Sequence, residues 1–357
     1  MKNNDKIFHN LFVLELANNH WGDLDRGLRI IREHGKLVKK YGINAAMKFQ
    51  FRETKSFIHP DFLDSEVSSK DKELHSAPGT NTRYVKKTLS TLLSEDEYKI
   101  LLEETKKYGM HTMSTPFDED SVAMCKRLNV DIMKIASQDA KSWTIIEKIA
   151  KLNKPTIISN GGHEIGDLDK VAEHFAKVNV PLAINHCVSL YPSEDSELEL
   201  NQVDFLKNRY PNNVIGFSTH EYSDWTSSVM ITYAKGARSW ERHIDIEANG
   251  IPVSKYCSLP HQVEEWFKAF KKAEEMCGHD GSSQRVIPEK EKEYISSVSR
   301  GIYATRDLPA GYKIKKENLN KDFYLAIPAQ TGQRTSRDLN EEFSVKESVG
   351  KDKPIMQ

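Results

Sequence analysis

The chain lacks the features that mark several large protein classes. It has four cysteines, Cys125, Cys187, Cys257 and Cys277, and no CxxC pair. Thiols scattered in this way fit a reducing compartment and argue against a disulfide framework. It lacks an excess of either charge: 51 Lys and Arg stand against 52 Asp and Glu, a formal net charge of −1. No long-range field then recruits nucleic acid or an anionic membrane, so any anion must be held by a local cluster of cations. It also lacks a long apolar run. Residues 1–10 are polar and charged, and Leu11–Ala17 is too short for a signal core or a membrane span. The expectation is a cytoplasmic protein with no membrane and no nucleic acid among its partners. Over 357 residues, 38% hydrophobic and 29% charged content is ordinary for a soluble globular chain with a large core.

What is present is an alternation of two patterns. Short apolar runs at 11–17, 45–50, 110–115, 131–137, 155–159, 181–187, 214–220 and 239–244 read as buried strands. Between them lie helical patterns. The first places Leu28, Ile30, Ile31, His34, Leu37 and Val38 roughly on one face, with Gly42 as its C-cap. Further helical patterns cover 94–107, 118–128, 143–152, 167–176, 203–210, 226–235 and 260–277. Eight strand–helix units imply a parallel sheet covered by helices. Eight such units in roughly 270 residues match the size of an α/β fold of the (β/α)₈ or TIM-barrel type, with a doubly wound open sheet as the alternative.

Two segments break the pattern. Residues 51–88 are rich in Ser, Asp, Lys, Pro and Gly without a period, as in a lid over a site or a disordered loop. The Ser-, Lys- and Glu-rich stretch 281–298 reads as a linker after a barrel domain at 1–280. A small β-rich module follows at 299–357, where Pro309-Ala310-Gly311 signals a turn between two strand-like runs.

In barrels of this type the chemistry gathers where strands end. Those ends carry Glu15, Asn19 and His20; Lys48 and Gln50; Ser114 and Thr115; Lys134, Ser137 and Asp139; Ser159 before Asn160-Gly161-Gly162; His186 and Ser189; Ser218 and His220; and Glu241 and His243. A single hydroxyl at a strand end more often bonds a turn than a ligand. The two lysines are harder to dismiss, because a buried ammonium is costly unless it meets an anion. Two lysines with several hydroxyls and a Gly-Gly backbone suit a phosphate and a carboxylate held close together. Structural ion pairs, one of them Lys48 with Glu15, are one alternative; a Schiff-base lysine is another. Glu241 and His243 share one face of a strand, and His220 ends its neighbour. Two histidines on adjacent strands beside a carboxylate point to a divalent metal. The HxH of many hydrolytic metal barrels is absent from the first strand, where Glu15-Leu16-Ala17 stands.

Taken in order, these strand ends resemble the sialic acid synthase family, which includes legionaminate, pseudaminate and spore-coat polysaccharide synthases. The matching stretches are Glu15 to Gly22, Lys48-Phe49-Gln50, Ser114 to Phe117, Lys134 to Ser137, Ser159-Asn160-Gly161, His186 to Pro192, Gly216 to His220 and Glu241-Arg242-His243. The module from Ser299 resembles the antifreeze-like (SAF) domain that follows the barrel in this family. The resemblance implies condensation of phosphoenolpyruvate with a sugar aldehyde. It puts phosphoenolpyruvate at Lys48, Thr115, Lys134, Ser137, Ser159, Ser189 and Ser218. It puts the metal, Mn²⁺ or Mg²⁺, at His220 and His243. Glu15, Asp139 and Glu241 become the catalytic carboxylates, and Gln50, Tyr191 and Arg334 the sugar-facing residues. A domain-swapped homodimer is also implied. Some positions depart from the family pattern: Asp139 replaces a glutamate, Ser189 an asparagine, Ser254 an acid, and Ile327-Pro328-Ala329 an Arg-Pro-Gly stretch. The departures fall mostly where relatives touch the sugar, so the acceptor is expected to differ. A metal-dependent hydrolase, a Schiff-base aldolase and a non-catalytic phosphosugar binder are the competing readings of the same residues.

Overall fold

The computed structural model describes residues 3–53, 57–60, 81–248, 250–278 and 282–357. Residues 61–80, most of the stretch read as a lid, lie outside them. The chain divides into two compact units, Met1–Gly278 and His279–Gln357.

In the first unit, strands β1 (Leu11–Ala17), β2 (Ala45–Phe51), β3 (His111–Pro116), β4 (Ile132–Ile135), β5 (Thr156–Ser159), β6 (Leu182–Cys187), β7 (Val214–Thr219) and β8 (Ser239–Ile244) pair in chain order. Every pairing is parallel, and β8 pairs back with β1, which closes the (β/α)₈ barrel. A two-residue strand, β9 (Cys257–Ser258), extends the sheet beside β8. The fourth strand is shorter than expected. It stops at Ile135, and Ser137–Asp139 turns into a 3₁₀ segment in which the Asp139 N–H donates to the Ala136 carbonyl at 3.0 Å.

Helices α1 (Leu24–Tyr41), α2 (Asn81–Ser90), α3 (Glu95–Lys107), α4 (Glu119–Arg127), α5 (Trp143–Lys151), α6 (Ile165–Lys177), α7 (Gln202–Arg209), α8 (Ser227–Lys235) and α9 (Pro260–Cys277) accompany the strands. Local chemistry sets their ends. Asp23 caps α1 by accepting from the Arg26 N–H at 3.2 Å, and Gly42 ends it in the left-handed region at φ 59°, as its position predicts. Ser94 and Glu97 form a reciprocal capping box at the start of α3. Helix α2 falls partly inside the stretch read as irregular. The loop-like composition before it hides a pattern barely three turns long.

Alternation along the strands sorts two cores. Outward residues such as Phe12, Leu14, Phe49, Met133, Ile158, Ile184, Phe217 and Trp240 pack under the helices. Phe12 sits within an aromatic cluster, with ring centroids 5.1 Å from Trp240, 4.6 Å from Trp266, 5.3 Å from Phe267 and 4.9 Å from Phe270. Inward residues at the starts of the strands, Leu11, Val13, Ala46, Met113, Ile132, Ile157 and Ala183, are fully buried. They form a second cluster with Phe8 from the 3₁₀ segment Asn3–Phe8. That cluster plugs the barrel at the N-terminal end of its strands.

The segment read as a linker contains a helix, α10 (Glu289–Val298), preceded by Pro288. It buries none of its residues. It lacks the apolar period that betrays a helix in sequence, although Glu and Lys are strong helix formers. Beyond it, β10 (Gly301–Ala304) pairs antiparallel with β12 (Phe323–Ala326), and β11 (Lys313–Ile314) with β13 (Phe343–Ser344). The Pro309-Ala310-Gly311 turn forms, with Gly311 at φ 82° and the Tyr312 N–H donating to the Pro309 carbonyl at 3.1 Å. This unit has its own core of Ile302, Ala304, Leu308, Ile314, Phe323, Leu339, Val345 and Ile355.

Phe12→Ala removes the hub of the aromatic cluster. It is expected to cost about 3–5 kcal/mol of barrel stability, read by urea unfolding followed through the fluorescence of the adjacent Trp240 and Trp266.

Candidate active site

Two residues beyond the apolar plug, the same inward faces turn polar. Val13 is followed by Glu15, Ala46 by Lys48, Met113 by Thr115, Ile132 by Lys134, Ile157 by Ser159 and Ala183 by Asn185. The closing strands add Ser218, Glu241 and His243, and the register sets Glu15 beside both Lys48 and His243, and Ser218 beside Glu241. Period-two geometry thus gathers at one level of the barrel residues that lie far apart in the chain.

The two lysines have different surroundings. Buried Lys48 forms an ion pair with Glu15, stands 3.2 Å from Glu241 Oε1, and donates to Thr115 Oγ1 at 3.2 Å. The Lys48–Glu15 pair raised as an alternative is therefore present, with a second carboxylate added. Burial disfavours the Lys48 ammonium, but Glu15 and Glu241 outweigh it and hold its pKa above the ordinary value. Lys134, equally buried, has no carboxylate at ion-pair distance among the described residues. Its ammonium donates to Ser159 Oγ at 2.7 Å and to the Ile135 carbonyl at 3.3 Å. Burial pulls its pKa down. A desolvated cation bonded only to neutral oxygens is an anion site in waiting.

The carboxylates are pushed apart. Burial raises Glu15 further than Lys48 lowers it, whereas burial of Glu241 is outweighed by Lys134 and Lys48, which hold it down. Gln50 donates to Glu15 Oε1 at 2.9 Å and accepts from Arg52 at 2.7 Å. Asp139 is buried, with one oxygen lacking a hydrogen-bond partner, and burial pushes it up to about 6.

Beside Lys134 lies a backbone cradle. The Gly161 N–H donates to Ser137 Oγ at 3.1 Å. A Cβ on Gly161 would stand 2.1 Å from Ser189 Oγ and 2.9 Å from Ser137 Oγ. Glycine here lets two hydroxyls and an N–H converge next to the unpaired cation. Sequence reasoning missed His163, whose Nε2 lies 2.5 Å from the Ser137 carbonyl, and Cys187, 3.9 Å from Ser189 Oγ.

His220 and His243 face each other with ring centroids 5.5 Å apart. His220 Nδ1 donates to the Val188 carbonyl at 2.9 Å, which leaves Nε2 as the lone-pair nitrogen. Burial lowers His220 to about 4 and, together with His220, pushes His243 well down, so both rings are neutral at pH 7. Tyr191 packs 3.9 Å from His220, and Tyr256, which no sequence signal marked, 5.1 Å from His243. No third His, Cys, Asp or Glu joins the pair among the described residues. Two neutral imidazoles with free lone pairs fit a divalent ion whose other positions are filled by substrate or solvent oxygens.

One residue named with the strand ends faces away from the site, and another belongs to the second unit. His186 turns from the barrel axis, with Nε2 2.8 Å from the Leu198 carbonyl and its ring stacked on Phe217. Arg334 belongs to the second unit and donates to Asp338 there at 3.2 Å.

The chain as a whole is similar to known proteins. A family model described as NeuB matches residues 36–282. The chain belongs to the NeuB family. Among solved NeuB-like structures, a Chromobacterium violaceum chain described as a spore coat polysaccharide biosynthesis protein E superposes with a TM-score of 0.86 at 30% identity, covering 97% of this chain and 98% of that one. A pseudaminic acid synthase of Campylobacter jejuni is 27% identical over 94% of both chains. An N-acetylneuraminate-9-phosphate synthase of Drosophila melanogaster is 25% identical over 98% of this NeuB chain and 96% of its own length.

Two expectations follow from the charges. Lys134→Met should raise the melting temperature of the ligand-free protein and abolish the further rise that inorganic phosphate gives the wild type. Asp139 has a folded pKa raised from its ordinary value of 3.8 to about 6. Its ionisation therefore costs stability in full above pH 6, and the cost vanishes as pH falls below 3.8. Asp139→Asn should be more stable than wild type at pH 7, with the gap closing between pH 6 and 4, read by thermal melts across that range.

Proposed function

We propose that this NeuB-family chain condenses phosphoenolpyruvate with an aldose of the N-acylhexosamine type. The products are a 2-keto-3-deoxy sugar acid and phosphate, serving surface polysaccharide biosynthesis. The observation that carries the reading is Lys134, a buried ammonium bonded to neutral oxygens beside the Ser137, Gly161 and Ser189 cradle. Phosphoenolpyruvate brings a phosphate and a carboxylate on one small frame. Lys134, Ser159 and the cradle take one anion; Lys48, Thr115 and Ser218 take the other.

Carbon 3 of phosphoenolpyruvate forms the new bond to the aldehyde carbon, whose oxygen becomes an alkoxide. Water adds at carbon 2, and the tetrahedral centre expels phosphate to leave the keto group. Glu15, with its pKa raised, and Glu241, with its pKa held down, are the two carboxylates placed to handle the alkoxide proton and the attacking water. His220 and His243 would hold a divalent cation, Mn²⁺ in preference to Mg²⁺ because both donors are nitrogen. When bound, the ion polarises the aldehyde carbonyl. Asp139, Gln50 and Tyr191 line the acceptor side, with Arg334 as its contribution from the second unit.

That unit we assign as an antifreeze-like (SAF) domain, supported by its ordered resemblance and its own small β core. The assembly is a domain-swapped homodimer. Among the described residues no helix is long and apolar enough to cross a membrane, and use of phosphoenolpyruvate as a substrate supports a cytoplasmic enzyme.

The lowered pKa of Lys134 favours one rival, a Schiff-base aldolase. The synthase reading expects phosphate release from phosphoenolpyruvate with a hexosamine-derived aldehyde. No release with any such aldehyde, together with borohydride trapping of an imine on Lys134 or Lys48, would sink it. His243→Ala is expected to abolish turnover while phosphoenolpyruvate binding, measured calorimetrically, stays within about threefold of wild type. Equal loss of both would make the histidine structural.

A further inference from the structure

Each histidine of the pair has a buried, charged neighbour in sequence. Glu221 follows His220, and Arg242 precedes His243. Both side chains are 1% exposed, and they bond to each other, with Arg242 Nη1 2.5 Å from Glu221 Oε1. Arg242 alternates with Glu241 and His243 along β8, so it points away from the barrel axis while they point in. The ion pair therefore touches neither the anion cradle nor the lysines.

The geometry at the strand ends gives the pair a task. The ladder between β7 and β8 ends at Thr219 opposite Arg242. His220 lies one residue beyond it, so no β7–β8 rung fixes its distance from His243. Arg242 bridges that gap. Its Nη1 takes the Glu221 carboxylate, its Nη2 takes the Glu221 backbone carbonyl at 2.9 Å, and its Nε donates to Ser258 Oγ at 3.1 Å. Ser228 on α8 braces the same Glu221 oxygen at 2.5 Å, and Trp225 braces Ser258 at 3.0 Å. A planar fork gripping both the side chain and the main chain of one residue fixes a position that a point charge cannot.

We infer that Arg242 and Glu221 are positioning residues. Their buried pair holds the end of β7 against β8 and so sets the spacing at which His220 and His243 grip a divalent cation. The inference rests on the metal reading above. It concerns the outer face of the sheet, and neither residue touches substrate.

The test uses the full-length, metal-stripped protein and Mn²⁺ alone, with free ion counted by electron paramagnetic resonance. Arg242→Lys keeps the charge and loses the fork; Glu221→Gln keeps the shape and loses the charge. Each is expected to weaken Mn²⁺ binding about 10- to 100-fold, to change the visible absorption of the Co²⁺-loaded protein, and to leave phosphoenolpyruvate affinity within about threefold of wild type. Val171→Ala, a buried truncation on α6 remote from the pair, controls for lost stability. Mn²⁺ affinity within about twofold of wild type in either variant that folds overturns the inference. An equal loss in Val171→Ala does the same. A His220→Ala/His243→Ala double variant that binds Mn²⁺ as wild type does would overturn the metal reading itself, and the inference with it.

Discussion

An ammonium group inside a barrel has lost its water and must be answered by something else. This one constraint organises the upper half of the first unit. Lys48 is answered within the protein by Glu15 and Glu241, a small charge cluster that locks β1, β2 and β8 together. Among the described residues Lys134 is answered at hydrogen-bond distance by a hydroxyl and a carbonyl, with Glu241 acting on it from further away. The protein thus meets one cation with charge in contact and its neighbour with neutral oxygens. The surrounding hydroxyls, the bare Gly161 and the split between Glu15 and Glu241 all follow from where these two charges are placed.

The cost of that arrangement is met elsewhere in the fold. The lower inward faces form a dry cluster around Phe8, and the outward faces pack aromatic and aliphatic side chains under the helices. Stability and chemistry therefore occupy different levels of the same strands, two residues apart. The change from Val13 to Glu15, or from Ile132 to Lys134, is the boundary between them.

Much of this was legible in the sequence, because both periods are strong there. Buried parallel strands read as apolar runs, and the polar residues that end them stand out against that background. Gly42 and Ser94 marked helix ends by chemistry that needs no tertiary context. What escaped depends on contacts between distant segments or on the lack of an apolar face. Helix α10 buries nothing and so leaves no period to detect. The fourth strand was read two residues too long because Ala136 and Ser137 continue its composition while the backbone turns. His186 sits at a strand end like the site residues, yet faces the other way. Arg242 and Glu221 carry no sequence signal that sets them apart from their neighbours. Their pairing exists only once β7 and β8 lie side by side.

The plug at the bottom of the barrel also gives the barrel a direction. Phe8, Leu11 and Val13 fill the N-terminal end with fully buried apolar side chains. That end offers no polar path, so the inward lysines, carboxylates and histidines are reached from the C-terminal ends of the strands. The register sets Glu15 between Lys48 and His243, so one lysine and one histidine stand at the same height above the plug. One end of the barrel is a floor, and loop residues can meet the polar side chains only at the other.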